Sequence, residues 1–387
     1  MSGRPIAIYA GYLVRCPIGG YLWQVVHYLR GLRDAGVDVW FWEDTRHTWQ
    51  AYDPIARSVG ADYDAGIRIA GETLASVGFA DRWIFHDSIH DRSAGAGRDA
   101  ARWLFANARI LINAAGVHRF SAEERAGKTC IYVDMDPAYT QLRVAGGDRL
   151  LAEMLAEHDL HFTFGENIGT DRSRIPTGGF DWRPTRQPIA LDLWPTSPIP
   201  AGAPFTTIGT WDSPERDVAF EGERYSWSKR EEWAAVMELP RATGERFRLA
   251  MEVRDPADRA RLEAAGWEIS DPISISRDRF AYQDFLRTSR AEFTTAKDVN
   301  VRLRSAWFSD RSACYLATGR PVVTQDTAFG DVLPTGEGLF AYRTADEAAA
   351  ALTTINNDPQ RHSAAARGIA EQHFAAERVV TALLEPI

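Results

Sequence analysis

Apolar residues recur along the chain in short runs separated by stretches of helical period, the alternation that builds parallel sheets flanked by helices. The run at residues 5–10 (PIAIYA) predicts a first strand, and GYLVRCPIGG after it predicts a loop. Leu22, Val25, Val26, Leu29 and Leu32 then share one helical stripe that stops at Ala35-Gly36, and VDVWFW at 37–42 resumes as a buried strand. Strand, glycine loop, helix and strand form a βαβ unit that opens a Rossmann-like sheet. Apolar runs at 109–115, 129–134 and 160–165, spaced by amphipathic stretches at 94–108 and 146–158, continue the alternation. They predict five or six strands in the N-terminal sheet.

The segment 175–204 is rich in proline from Pro176 to Pro204 and holds no period, the mark of a connection between domains. A second β/α series follows, with strands at 205–209, 247–252, 291–296 and 321–326 and helices from about 229, at 256–265, at 278–289 and from 309. The chain from Pro359 onward reads as two helices. The expected division is an N-terminal domain over 1–200, a C-terminal domain over 201–370, and a final helix at 371–387 that packs back on the first domain. A length of 387 residues suits two cores better than one.

Composition narrows the partners. A net charge of −9 gives no general basic field, which makes nucleic acid an unexpected partner. The N-terminus MSGRPIAIYAGYL has no long apolar leader and no later stretch has the span of a membrane helix, so a cytoplasmic protein is expected. Cys16, Cys130 and Cys314 are far apart and without a C-x-x-C pair, and are expected to be reduced, buried thiols. Only Lys128, Lys229 and Lys297 are lysine among 44 basic residues. A lysine kept against that bias suits a place where a compact ammonium is wanted, as beside a phosphate.

Gly19-Gly20 ends the first loop, where missing side chains let a ligand approach the helix N-terminus. The spacing is not the G-x-G-x-x-G of a dinucleotide site. The densest stretch is AEFTTAKDVNVRLRSAWFSDRSACYLATGRPVVTQD at 291–326. It carries Lys297 at the end of a strand, a loop with Arg304 and Ser305, and Ser309 as a helix N-cap followed by Asp310 and Arg311. Cations and free helix amides in that order suit a departing diphosphate. Lys229, at the start of an earlier helix, offers a second ammonium. In the N-terminal half, His118 follows a strand, Asp134 ends one and Glu166 follows another, and the three are candidates for a base or an electrostatic stabiliser. Asp134-Met135-Asp136 also has the D-x-D spacing of a metal-binding pair, but no metal role is assigned to it. His27 reads as packed inside the first helix. Trp23, Trp40, Trp42, Trp49, Trp83 and Trp103 read mostly as core, with one or two free to stack on an acceptor.

RSACYLATGRPVVTQD resembles the helix-to-strand segment of GT-B glycosyltransferases, and FTTIGTW and the GLFAY, DEAAAAL and DP tail extend the likeness over most of the C-terminal half. The glycine-pair loop and YLRGLRDAGVDVWFWED carry it more loosely into the N-terminal half. The resemblance implies two facing Rossmann-like domains in an α/β GT-B fold. It also implies a nucleotide-sugar donor held by the C-terminal domain, an acceptor held by the N-terminal one, and neither metal nor cofactor. The sequence departs from the retaining group of that fold, which carries two glutamates eight positions apart. Ala306 and Cys314 stand there, with Asp310 as a substitute for the ribose contact. Two alternatives share the architecture: a sugar-nucleotide epimerase and a sugar-nucleotide binding protein without catalysis.

Overall fold

The computed structural model describes residues 3–387 and carries the chain on two parallel sheets. The first runs, from edge to edge, Trp182–Pro184, Leu160–Thr163, Thr129–Asp134, Ile110–Ala114, Ile6–Ala10, Asp38–Asp44, Trp83–Asp87 and Arg92–Gly95. All neighbours pair in parallel except the last two, which are antiparallel. The second sheet runs Trp267–Ser270, Phe247–Ala250, Phe205–Ile208, Ala291–Thr294, Val322–Gln325 and Leu339–Tyr342, parallel throughout.

Successive residues of the first sheet bury on opposite faces. Ile8, Ala10, Trp40, Trp42 and Leu111 enter one hydrophobic cluster, while Ala7, Tyr9, Val39, Phe41 and Ile112 enter another. That period-two division of wholly apolar strands is what a sheet covered on both faces requires.

The sheet has eight strands where the apolar runs predict five or six. The extra strands lie at its edges: Trp83–Asp87 with Arg92–Gly95 on one side and Trp182–Pro184 on the other. Arg92–Gly95 is short and largely solvent-facing, so it shows no apolar run. Trp182–Pro184 sits inside the proline-rich segment, and an edge position is where a strand tolerates proline.

The first helix, Gly19–Asp34, buries Leu22, Val25, Val26, Leu29 and Leu32 as its stripe requires. It also carries the link between the two ends of the chain. Gly31 lies against the last helix, Ala376–Leu384, and a Cβ on it would sit 2.9 Å from the Ala376 carbonyl oxygen. Val379, Val380 and Leu383 of that last helix are buried, each burial contributing about 1.5–3 kcal/mol. Just before it, Ile189 of the proline-rich segment donates to the Phe374 carbonyl at 2.7 Å and accepts from the Ala376 amide at 2.9 Å. Two separate passages of chain therefore run side by side between the sheets. Among the described residues no helix is long and apolar enough to cross a membrane.

Candidate active site

A cavity of about 1040 Å³ lies between the two sheets. Its walls come from the segments that follow strand ends: Gly11, Ala115, Met135, Asp136 and Phe164 from the first sheet, and Gly209, Glu252, Arg254 and Lys297 from the second. These are the carboxyl ends of parallel strands, where open α/β folds bind ligands.

The wall from the second half is charged. Arg216, Lys229, Arg230, Arg254, Lys297 and Arg311 all line it. Five of these cations have a carboxylate partner. Arg311 pairs with buried Glu292 at 2.5 Å and donates to the Ile208 carbonyl at 2.7 Å, which fixes it beneath Gly209. Arg230 pairs with Asp258 at 2.5 Å, and Arg254 with Glu252 at 2.8 Å. Arg216 and Lys297 share Asp136, at 2.7 and 3.5 Å.

Lys229 has no such partner among the described residues. It is 6% exposed and donates only to the Thr295 carbonyl, at 2.6 Å. Burial and the neighbouring Arg311 and Lys297 push its pKa well below the ordinary lysine value. Burial lowers Lys297 to about 8, with Asp136 opposing the shift. Lys297 also lies over the Trp227 ring, and Arg216 stacks between Trp227 and Tyr139 at 4.4 and 4.5 Å from the ring centroids.

The helix Asp310–Ala317 points its N-terminus into the cavity, with Ser309, Asp310 and Arg311 on the wall. Ser309 stands at the N-cap, but its hydroxyl turns to Asp310 at 3.3 Å and does not cap the helix amides. Asp310 itself takes the Arg311 amide at 2.7 Å.

The wall from the first half is of another kind. Tyr9, Tyr12, Tyr21, Gln24, Met135 and Phe164 line it, and Asp136 is its sole charged member. The loop that holds Tyr12 is shaped by buried Glu43. That carboxylate accepts the amides of Leu13, Val14 and Arg15 at 2.7, 2.7 and 3.0 Å, together with the Arg15 side chain.

The structure places the other expected site residues away from the cavity. Asp134 turns into the sheet and accepts from Thr140, Gln141 and Thr163, each at 2.8 Å; burial raises its pKa to about 6. His118 is 2% exposed, with Nε2 3.1 Å from the Gly11 carbonyl oxygen and Nδ1 3.7 Å from Asp44. Glu166 is held by a two-pronged pair with Arg186 at 2.6 and 3.0 Å. Asp134 ends a strand and His118 and Glu166 come after strands, yet each is held by a structural partner. Arg304 faces Asp331 at 3.7 Å instead of the cavity. The Ser305 hydroxyl is buried on Asn300 at 2.9 Å and receives the amide of Trp307, which does reach the wall. Of the glycine pair, Gly20 lines the cavity, whereas Gly19 makes room for Tyr282: a Cβ on it would stand 2.5 Å from the Tyr282 Cβ.

None of the six tryptophans singled out in the first half lines the cavity; Trp211, Trp227 and Trp307 do. Cys130 and Cys314 are buried thiols as expected, and Cys16 is half-buried. Cys314 and Ala306 stand buried where two glutamates occur in the retaining group. His27 is packed, with Nδ1 3.0 Å from the Ala190 amide nitrogen and Nε2 3.2 Å from the Trp194 indole nitrogen.

No protein-family model matches the chain, and no curated protein matches it. Solved structures do. AviGT4, a glycosyltransferase involved in avilamycin A biosynthesis, shares 13% identity at a TM-score of 0.54, over 99% of this chain and 96% of its own. An α-glucosyltransferase in complex with UDP and a 13-mer DNA shares 11% at 0.60, over 98% of both chains. HepE of Anabaena, in complex with UDP and glucose, shares 10% at 0.53, over 99% of this chain and 100% of its own. Two parallel sheets, a cavity at their facing strand ends and this likeness over nearly the full chain identify the architecture as the GT-B fold of glycosyltransferases.

Proposed function

We propose that the chain is a glycosyltransferase that moves a sugar from a nucleoside-diphosphate sugar to an uncharged hydroxylic acceptor. One observation carries the reading: the Lys229 amine faces the cavity from a buried position, held by the Thr295 carbonyl, with no carboxylate within ion-pair distance among the described residues. Burial disfavours the charged form of that amine until an anionic ligand arrives to pair with it. Lys297, Arg216 and the N-terminus of Asp310–Ala317 surround the same space, so the ligand they suit carries more than one negative charge.

In the reaction, an acceptor oxygen forms a bond to the anomeric carbon. The bond from that carbon to the diphosphate oxygen breaks, its electron pair stays with the phosphate, and the acceptor proton passes to solvent. Charge builds on the leaving diphosphate, where Lys229, Lys297 and Arg216 stand ready. These fixed cations supply the stabilisation without a divalent ion, and a chelator is expected to leave the transfer rate unchanged. The acceptor is assigned to the wall of the first half. Its tyrosines, Gln24 and apolar groups offer stacking and hydrogen bonds but no cation, which favours a neutral hydroxylic molecule over a phosphorylated one. The bound UDP of the α-glucosyltransferase and of HepE makes UDP the first nucleotide to try.

The test is a thermal-shift series with UDP, GDP, ADP and TDP and their glucose conjugates, followed by donor-turnover assays with neutral glycosides. Stabilisation by one nucleotide and sugar transfer from its conjugate are expected. No shift from any of them overturns the reading.

A further inference from the structure

Asp136 belongs to the first half of the chain, yet its carboxylate reaches across the cavity to two cations of the second. One oxygen accepts from Arg216 at 2.7 Å, and the other lies 3.5 Å from the Lys297 ammonium. Burial works against its charge, but Lys297 and Arg216 hold its pKa below the ordinary carboxylate value. Both cations are themselves fixed from behind. Lys297 lies on the face of Trp227, and Arg216 is stacked between Trp227 and Tyr139. The pair is thus a preformed anion seat, and its present occupant is a side chain.

We infer that Asp136 is a positioning residue that stands in for the donor's diphosphate. It keeps Arg216 and Lys297 in their seat while no ligand is bound, and it leaves that seat when the diphosphate arrives. The inference rests on the proposed donor chemistry. Three features support it. Among the described residues Asp136 is the sole charged group on its own wall, so the cations have no other carboxylate partner there. The neighbouring Lys229 amine has no carboxylate within ion-pair distance among the described residues, so the stand-in covers only part of the basic wall. Asp134, two residues earlier, is satisfied by three side chains inside the sheet, so the two acids do not converge on one point and Asp136 works alone.

A ligand that needs the seat has to displace Asp136, and each ion pair it breaks subtracts from the affinity it gains. Asp136→Asn keeps the size and a hydrogen-bond acceptor while removing the charge. Calorimetric titration with UDP, GDP, ADP and TDP is the experiment, on the wild type and on this variant, with the matching nucleosides as controls. The variant is expected to bind the preferred diphosphate about threefold or more tighter, with no change for the nucleoside. A merely structural role predicts weaker binding or none, because loss of a supporting contact does not tighten a site. Equal or weaker diphosphate binding by Asp136→Asn, with binding by the wild type intact, overturns this inference alone. If neither protein binds any of the four, the donor reading falls and this inference with it. Asp136→Ser, smaller and uncharged, gives the same gain if charge is the cause and provides a second folded protein.

Discussion

Lys229 donates to the Thr295 carbonyl at 2.6 Å from a buried position, and among the described residues no carboxylate stands within ion-pair distance, Glu292 and Glu232 acting on it only from farther off. An arrangement of this kind sacrifices stability of the empty protein for affinity toward an anion.

Lys229→Met tests that exchange. The thioether fills similar space without a charge to desolvate. The variant is expected to unfold at a higher temperature than the wild type by 1–2 °C or more, on the order of 1 kcal/mol. It is expected to lose about 10- to 100-fold in affinity for the preferred nucleoside diphosphate. Melting curves with and without the nucleotide read both effects together. A lower melting temperature with full nucleotide response would place the lysine in the scaffold.

The lowered pKa of Lys297, about 8, sets a pH dependence with a definite sign. The native ammonium loses its proton near pH 8, whereas the unfolded one keeps it until the ordinary lysine value. Between those limits the unfolded chain binds more protons, so this group makes stability rise with pH across that window. Nucleotide binding runs the other way, since a diphosphate needs the charged form. Affinity is expected to fall as pH rises above about 8, by up to about tenfold per unit for one proton. Titrations in buffers of different ionisation enthalpy at pH 8.5 should register net proton uptake on binding. A flat profile from pH 7 to 9 would show that Lys297 does not meet the ligand.

Asp134 separates a structural acid from a catalytic one. Removing it leaves Thr140, Gln141 and Thr163 without their shared acceptor in a buried place. Asp134→Ala is expected to cost about 2–4 kcal/mol in denaturant unfolding. Asp134→Asn retains one acceptor oxygen, and Gln141, whose own side-chain oxygen has no partner, can turn to accept from the new amide. Near-normal stability and turnover are expected of it. A large loss of turnover in folded Asp134→Asn would return the residue to the chemistry.

Gly31→Val addresses the crossing of the first and last helices. The new side chain would meet the Ala376 backbone, 2.9 Å from its Cβ position, with no flexible group to give way. A loss of about 1–3 kcal/mol is expected, together with faster hydrogen exchange in Ala376–Leu384. Unchanged exchange there would show that the helices separate at little cost.

Much of this was legible in the residues, and the limits have physical causes. Apolar runs mark buried strands, so Ile6–Ala10 and Thr129–Asp134 announce themselves, while Arg92–Gly95 at an exposed edge does not. Two of the three lysines, kept against a strong arginine bias, reach the cavity wall. Strand-end position also pointed to His118, Asp134 and Glu166, but position along a strand does not reveal which way a side chain turns. Thr163 on the neighbouring strand and Arg186 some twenty residues on decide that, and such partners become neighbours only after folding. Arg216, in the one-turn 3-10 helix Pro214–Arg216, and Trp227, in the loop after a short ribbon, carry no period that would mark them. Asp136 was visible only as half of a metal-like pair. Its actual partners lie 80 and more residues away.

The paired passages at Ile189 and Ala375 also limit how the cavity can open. A single connecting strand would let the two sheets swivel freely about one point. Two strands, laced by the backbone bonds of Ile189 to Phe374 and Ala376, act like a door hung on two pins. Torsion between the halves is resisted, because turning one passage past the other breaks those backbone bonds. Asp136 stands on one half and Arg216 and Lys297 on the other, so widening the cavity stretches the same contacts that a diphosphate would replace.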